Sequence, residues 1–327
     1  MKVLVCGGAG FIGSNMVALL AAEGHEPIVY DNLSKGHRAA IRDVALVQGD
    51  LADGDLLAKT LRQVRAEAVM HFAAFIEVGE SVQQPLRYYQ NNCSNTRTVL
   101  AAMEAAGVEK FVFSSTAAVY GMPRQVPITE DLPKQPINPY GEAKWASERM
   151  CHWQAQTGRL RYAALRYFNA CGAGARGQIG EDHRPESHLI PLIIQAAMGK
   201  RPDIKVFGTD YETPDGTCIR DYVHVEDLCR AHLLALARLG TERELVYNLG
   251  NGGGYSVRQV IDTVRKVSGR QVRVTETGRR PGDPAVLTAD AGKARKELGW
   301  KTRHPDLETI VESAWIWHTN HPDGYPD

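Results

Sequence analysis

Lys2-Val3-Leu4-Val5-Cys6-Gly7-Gly8-Ala9-Gly10-Phe11-Ile12-Gly13 is the stretch that decides the fold. The first five residues read as a buried strand, the glycines at Gly-x-x-Gly-x-x-Gly spacing as a tight loop, and residues 14–23 as a helix. A second strand over 27–30 ends at Asp31. Strand, glycine loop, helix, strand and acid together suit a dinucleotide. Glycines let the main chain approach a pyrophosphate, the helix N-terminus offers free N–H groups, and the carboxylate takes ribose hydroxyls. Asp31 favours NAD over NADP, because it repels a 2′-phosphate; Lys35 and Arg38 argue the other way.

Working outward, strands are expected at 45–47, 68–71, 110–114 and 161–166. Helices at 55–65, 85–106 and 139–157 fall between them. This alternation predicts an α/β fold with a doubly wound parallel sheet, Rossmann-like in order. Such sheets bind ligands at the carboxyl ends of their strands. Asp50-Leu51, Phe72-Ala73-Ala74, Ser114-Ser115-Thr116 and Tyr167-Phe168-Asn169 stand at those places. After about Ala170 the texture changes, with Gly, Arg, Asp and Pro crowding 170–187. Helices over 189–199, 225–239, 256–268 and 306–318, a strand at 205–207, and a strand at 246–248 that rejoins the sheet are expected beyond. The domain reading is therefore 1–170 as an NAD-binding unit, with segments near 219–250 returning to it. Residues 171–327 form a smaller α/β substrate lobe.

Composition narrows the function. Of 327 residues 43% are hydrophobic, enough for a large core. Lys plus Arg equals Asp plus Glu at 38 each, so nothing in the charge balance points to nucleic acid or a membrane surface. The chain starts directly on a strand-like run with no charged-then-apolar leader, which reads as cytoplasmic. None of the six cysteines forms a Cys-x-x-Cys pair, so reduced, mostly buried thiols are expected. His183 and His188 lie close in sequence, but the Pro-containing stretch between them offers no defensible ligand geometry; no metal is expected.

The chemistry points to Asn138-Pro139-Tyr140-Gly141-Glu142-Ala143-Lys144. Pro139 suits a first helical turn, and positions four apart share a face, so Tyr140 and Lys144 point the same way. An apolar stripe through Ala143, Trp145, Ala146, Met150 and Trp153 is expected to bury the helix. A phenol with a pKa of about 10 is a poor base at neutral pH. A cation at roughly 6 Å, at an effective dielectric near 20, favours the phenolate by about 2.8 kcal/mol, or about two pKa units. Tyr140 then becomes able to take a proton from a sugar or alcohol hydroxyl.

The glycine loop, Asp31, Ser114-Ser115-Thr116, Tyr140-x-x-x-Lys144 and Arg166-Tyr167-Phe168-Asn169 together resemble the extended short-chain dehydrogenase/reductase family. Within it, the UDP-sugar 4-epimerases are the nearest match. Thr217 to Val225, Arg279-Arg280-Pro281-Gly282-Asp283 and the tail from Trp317 to Tyr325 resemble that branch as well. The resemblance implies Tyr140 as catalytic base, Lys144 as the residue that holds the nicotinamide ribose, and Thr116 as the hydroxyl between Tyr140 and the sugar. It implies an NAD site lined by Gly7, Gly10, Phe11, Ile12, Gly13, Asp31, Asn32, Asp50, Leu51, Phe72, Ala73, Ala74, Asn91, Ser114 and Tyr167, besides Tyr140 and Lys144. It implies Asn169, His188, Leu189, Phe207, Arg220, Arg280 and Asp283 on UDP-sugar, with Phe207 offering a face to uracil. Ile76 stands where some members carry a cofactor-binding lysine, and His188 where some carry asparagine. The activity implied is reversible 4-epimerisation of UDP-glucose and UDP-galactose by a homodimer that retains NAD. Action on UDP-N-acetylglucosamine or another UDP-sugar is the alternative, and Leu287 at the sugar's 2-position argues against it. A 4,6-dehydratase needs an acid-base pair where this chain has Ala117-Ala118.

Overall fold

The computed structural model describes residues 1–280 and 282–326, so Pro281 of the second nucleotide-binding stretch lies outside the described residues. Strands β1 (Lys2–Cys6), β2 (Glu26–Asp31), β3 (Leu46–Gln48), β4 (Ala68–His71), β5 (Lys110–Thr116) and β6 (Arg161–Tyr167) build the main sheet. Three short strands follow: β7 (Asn169–Cys171), β8 (Ile204–Phe207) and β9 (Ile219–Arg220). Then come β10 (Tyr222–His224) and β11 (Glu244–Leu249), the last of which returns to the main sheet beside β6. The sheet runs β3-β2-β1-β4-β5-β6-β11, and every pairing in it is parallel. The order reverses between β1 and β4, which opens a crevice at the carboxyl ends of those strands.

Burial on both faces explains the near-continuous apolar strands. Val3, Leu4, Val5 and Cys6 of β1 and Phe111, Val112 and Phe113 of β5 are fully buried. One face carries a core with Met16, Leu20, Leu228 and Trp300, and the other a core with Leu57, Leu61, Val99 and Met103. A third core, around Ile190, Ile194, Val260, Ile261 and Ile310, belongs to the later chain.

Three expectations need correction. The helix over 85–106 is broken: Pro85–Tyr88 and Asn95–Ala106 are α-helical, with a π-helical segment at Tyr89–Ser94 between them. Its Asn92 carbonyl accepts from the hydroxyls of Thr96 and Ser147, and the Asn92 amide pairs with the main chain of Phe75. Side chains thus take a carbonyl of this stretch, which widens the turn. The helix Pro139–Gln156 buries the expected stripe only in part: Ala143 is fully buried and Trp145 and Met150 pack on core residues, but Trp153 is 63% exposed. Ser147, Cys151 and Ala155 turn inward along with Ala143, with Lys144 and Glu148 beside them. Finally, β5 runs on to Thr116, which puts all three hydroxyl residues on the strand. All six cysteines are free, and five are buried.

Candidate active site

Backbone geometry builds the cofactor end. Gly7 has φ +76°, and a Cβ there would lie 2.4 Å from the Ala73 nitrogen. A Cβ on Gly13 would lie 2.0 Å from the Gly7 carbonyl oxygen, so only glycine lets helix Phe11–Ala22 start so close to β1. Gly10 differs: a Cβ there would meet nothing nearer than 3.5 Å. The chain itself has room for a side chain at Gly10, yet Gly10 lines the cavity. A ligand that must approach bare main chain accounts for the glycine, and a pyrophosphate on a helix N-terminus is such a ligand.

The Asp31 carboxylate accepts from the N–H groups of Ala9 (3.0 Å) and Leu33 (2.8 Å), which braces the loop on both sides. Burial raises its pKa, and those two N–H groups work against the rise. Lys35 and Arg38, the residues that spoke for NADP, donate to the carbonyls of Arg184 and Arg42. Main-chain partners therefore already hold both cations.

The catalytic end is set by a helix cap. Asn138 accepts from the Gly141 N–H at 2.8 Å, and Pro139 occupies the first turn. That places Tyr140 at the start of the helix and Lys144 one turn on, both on the cavity wall. Lys144 is 3% exposed, and its Nζ donates to the Ser114 carbonyl at 2.9 Å, over the Phe113 ring. Burial drives Lys144 down to about 7, with the Glu148 carboxylate pulling back. Burial raises the Tyr140 phenol, and a hydrogen bond with Thr116 opposes this. The expected lowering of Tyr140 by Lys144 is therefore not met in the chain alone. The ammonium is spent on a carbonyl and is itself disfavoured, so desolvation outweighs its field. The Ser114 and Tyr167 hydroxyls bond to each other next to this pair.

Every residue named above for NAD or UDP-sugar lines one cavity of about 960 Å³, except Asp50, Leu51, Leu189 and Phe207. Asp50 is exposed, and its carboxylate accepts from the Asn32 amide at 2.8 Å. Leu51 is buried in the sheet's core. Leu189 opens helix Leu189–Ala197 and packs on the third core. Phe207 carries the Arg280 guanidinium 3.7 Å from its ring centroid, so that face is already covered by a cation. Arg220 is held by the carbonyls of Ile219 and Pro284 at 2.9 and 2.8 Å and by Asp283 at 3.3 Å. Leu287 and Ile76 also line the wall. Sequence reading missed Glu181, His183, Ser187 and Leu192, which reach the cavity from a loop and helix that carry no cofactor motif.

The comparisons with known proteins agree with this geometry. Residues 3–250 match the family model "NAD dependent epimerase/dehydratase family". The chain is 51% identical to a UDP-glucose 4-epimerase of Halalkalibacterium halodurans, over 99% of this chain and 98% of that one. It superposes with TM-score 0.94 on the Brucella ovis UDP-glucose 4-epimerase solved with NAD, at 48% identity over 96% of this chain and 97% of that one. The Bifidobacterium longum UDP-glucose 4-epimerase, solved with NAD+ and UDP, matches at TM-score 0.94 and 38% identity, over 99% of this chain and 100% of that one. A glycine loop with bare main chain, a Tyr–Lys pair on one helix facing the cavity and full-length similarity lead to one conclusion: the chain belongs to the NAD-dependent epimerase/dehydratase family.

Proposed function

We infer that this cavity catalyses the reversible 4-epimerisation of UDP-glucose and UDP-galactose, with NAD as its bound cofactor. The observation that carries the reading is the meeting of Tyr140, Thr116 and Lys144 in a cavity that runs from the glycine loop to Arg220 and Asp283. Tyr140 takes the proton of the sugar's C4 hydroxyl, with the Thr116 hydroxyl between them. When bound, NAD supplies the two-electron acceptor for the C4 hydride and its later donor. The resulting 4-keto sugar must present its other face before reduction, so the chain has to grip the nucleotide and leave the sugar free to turn. Arg220, fixed by two carbonyls and a carboxylate, is suited to the diphosphate because a guanidinium offers a rigid fork of donors. Tyr140 then returns a proton to the new C4 oxygen. Ala117 and Ala118 on the wall supply no acid or base for eliminating water.

Tyr140→Phe is the test. Conversion of UDP-galactose to UDP-glucose without added cofactor should fall by about 10²- to 10⁴-fold while UDP binding stays within about twofold. Ordinary turnover by the variant sinks the assignment. Several finer readings rest on the same reasoning. The sugar range is non-acetylated hexoses, with Leu287 crowding a 2-acetamido group. Residues 1–170 with the returning 219–250 hold NAD, and 171–327 hold UDP-sugar. The chain works as a cytoplasmic homodimer: Val82 is 62% exposed just before the broken helix, Leu86 is 81% exposed in its first piece, and Trp153 is exposed on Pro139–Gln156. No described helix is long and apolar enough to cross a membrane. Sedimentation at the monomer mass counts against the dimer.

A further inference from the structure

The loop between Glu181 and His188 gathers four metal-capable side chains that the epimerisation chemistry does not use as a set. One donor atom each from Glu181, His183, Glu186 and His188 all lie within 4.8 Å of one another. His188 Nδ1 is 2.7 Å from Glu181 Oε1 and 3.2 Å from Glu186 Oε1. His183 Nδ1 is 3.1 and 3.7 Å from the same two oxygens. A tetrahedral zinc ion with bonds of about 2.0–2.2 Å has ligand–ligand edges of about 3.3–3.6 Å. The observed spread brackets that value. Both carboxylates are nearly solvent-free, with side chains 4% and 5% exposed.

A second observation separates this cluster from a plain set of ion pairs. His183 Nδ1 is buried and lies at ion-pair distance, 3.1 Å, from Glu181 Oε1, yet it makes no well-aligned hydrogen bond. A nitrogen close to two carboxylate oxygens and well aligned with neither fits a shared centre. The other candidate group, His224, Glu226 and His304, lacks this property. There His224 Nε2 is paired with the Ser313 hydroxyl, and its Nδ1 accepts from the Glu226 N–H.

We propose that Glu181, His183, Glu186 and His188 bind one divalent cation of the zinc class, tetrahedrally, at the wall of the cavity. Two imidazoles and two carboxylates suit that class. Four protein ligands close the coordination sphere, so the ion shapes the loop and does not touch the reacting carbon. The loop is placed to matter. Lys35 of the cofactor loop donates to the Arg184 carbonyl at 3.1 Å, and His37 meets the Asp182 carbonyl at 3.0 Å. His188 and Glu181 line the cavity themselves. The ion therefore acts on how well substrate is held more than on the chemical step. Binding of the ion is independent of the reaction assigned above, and only its effect on KM rests on that reading.

The test uses the full-length protein with NAD bound, stripped with EDTA, desalted, and titrated calorimetrically with zinc chloride. One ion per chain is expected, with at least about tenfold weaker binding in Glu186→Gln and in His183→Ala. His304→Ala should bind as the unsubstituted protein does. Failure to bind stoichiometrically overturns the proposal, as does binding that both ligand substitutions leave intact. Cobalt(II) loading of the unsubstituted protein gives a readout free of folding defects. Intense visible bands of tetrahedral cobalt support the site, and the weak bands of an octahedral ion overturn it. Removal of zinc should raise KM for the UDP-sugar with little change in kcat.

Discussion

Lys144→Met should cost activity and raise stability, and the size of the gain follows from burial. Lys144 is 3% exposed and held at about 7. In the unfolded chain a lysine titrates near 10.4. Between those values the unfolded state binds a proton that the folded state does not. Stability therefore rises with pH across that window, and the burden of folding a charged lysine is greatest below pH 7. A gap of roughly 3.5 units at about 1.36 kcal/mol each corresponds to roughly 4–5 kcal/mol. Methionine removes the burden but also the hydrogen bond to the Ser114 carbonyl, worth about 1.5–3 kcal/mol for a charged donor. A net gain of about 2 kcal/mol at pH 6.5 remains. It corresponds to a rise in Tm of about 3 °C, at about 1.5 °C per kcal/mol for a chain of 327 residues. Differential scanning calorimetry of nucleotide-free protein from pH 6 to 10 reads the effect. The gain should shrink as pH approaches 10, and added NAD should stabilise the parent more than the variant. A Tm that falls on substitution, or a difference flat with pH, refutes the reasoning that burial drives Lys144 down.

Other substitutions probe separate links. Glu148→Gln leaves the buried Arg166 with only the Tyr120 hydroxyl and a neutral amide in place of a bidentate carboxylate. A loss of about 3 kcal/mol is expected in urea unfolding, the low end for breaking a buried pair; a change under about 1 kcal/mol contradicts it. Gly13→Ala drives a methyl to 2.0 Å from the Gly7 carbonyl, so the loop must move. The purified variant should carry much less NAD by absorbance, with about 1–3 kcal/mol lost from strain. Leu287→Ala should raise the kcat/KM ratio of UDP-N-acetylglucosamine to UDP-galactose by about tenfold or more. An unchanged ratio dismisses Leu287 as the residue that sets the sugar range.

What could be read from the chain and what could not divide along a physical line. The glycine loop, Asp31 and the strand-end clusters were legible because the constraint is local. Gly7 at φ +76° and Gly13 against a carbonyl are demands on a few consecutive residues. The parallel order followed because apolar strands alternating with helices bury on both faces in few other ways. The charge state of the Tyr140–Lys144 pair was not legible. Spacing put the two groups on one helix face, but their titration depends on what β5 brings opposite them, the Ser114 carbonyl and the Thr116 hydroxyl. The same limit hid all but Ala143 of the inward face of that helix. Trp153 looks like core by composition, yet Ala143, Ser147, Cys151 and Ala155 are the residues small enough to let the helix lie against its neighbours. Desolvation and close approach are properties of the partner surface, so they surface only once strands distant in sequence are set side by side. In this chain they govern the chemistry more than the pairing of two charges one turn apart.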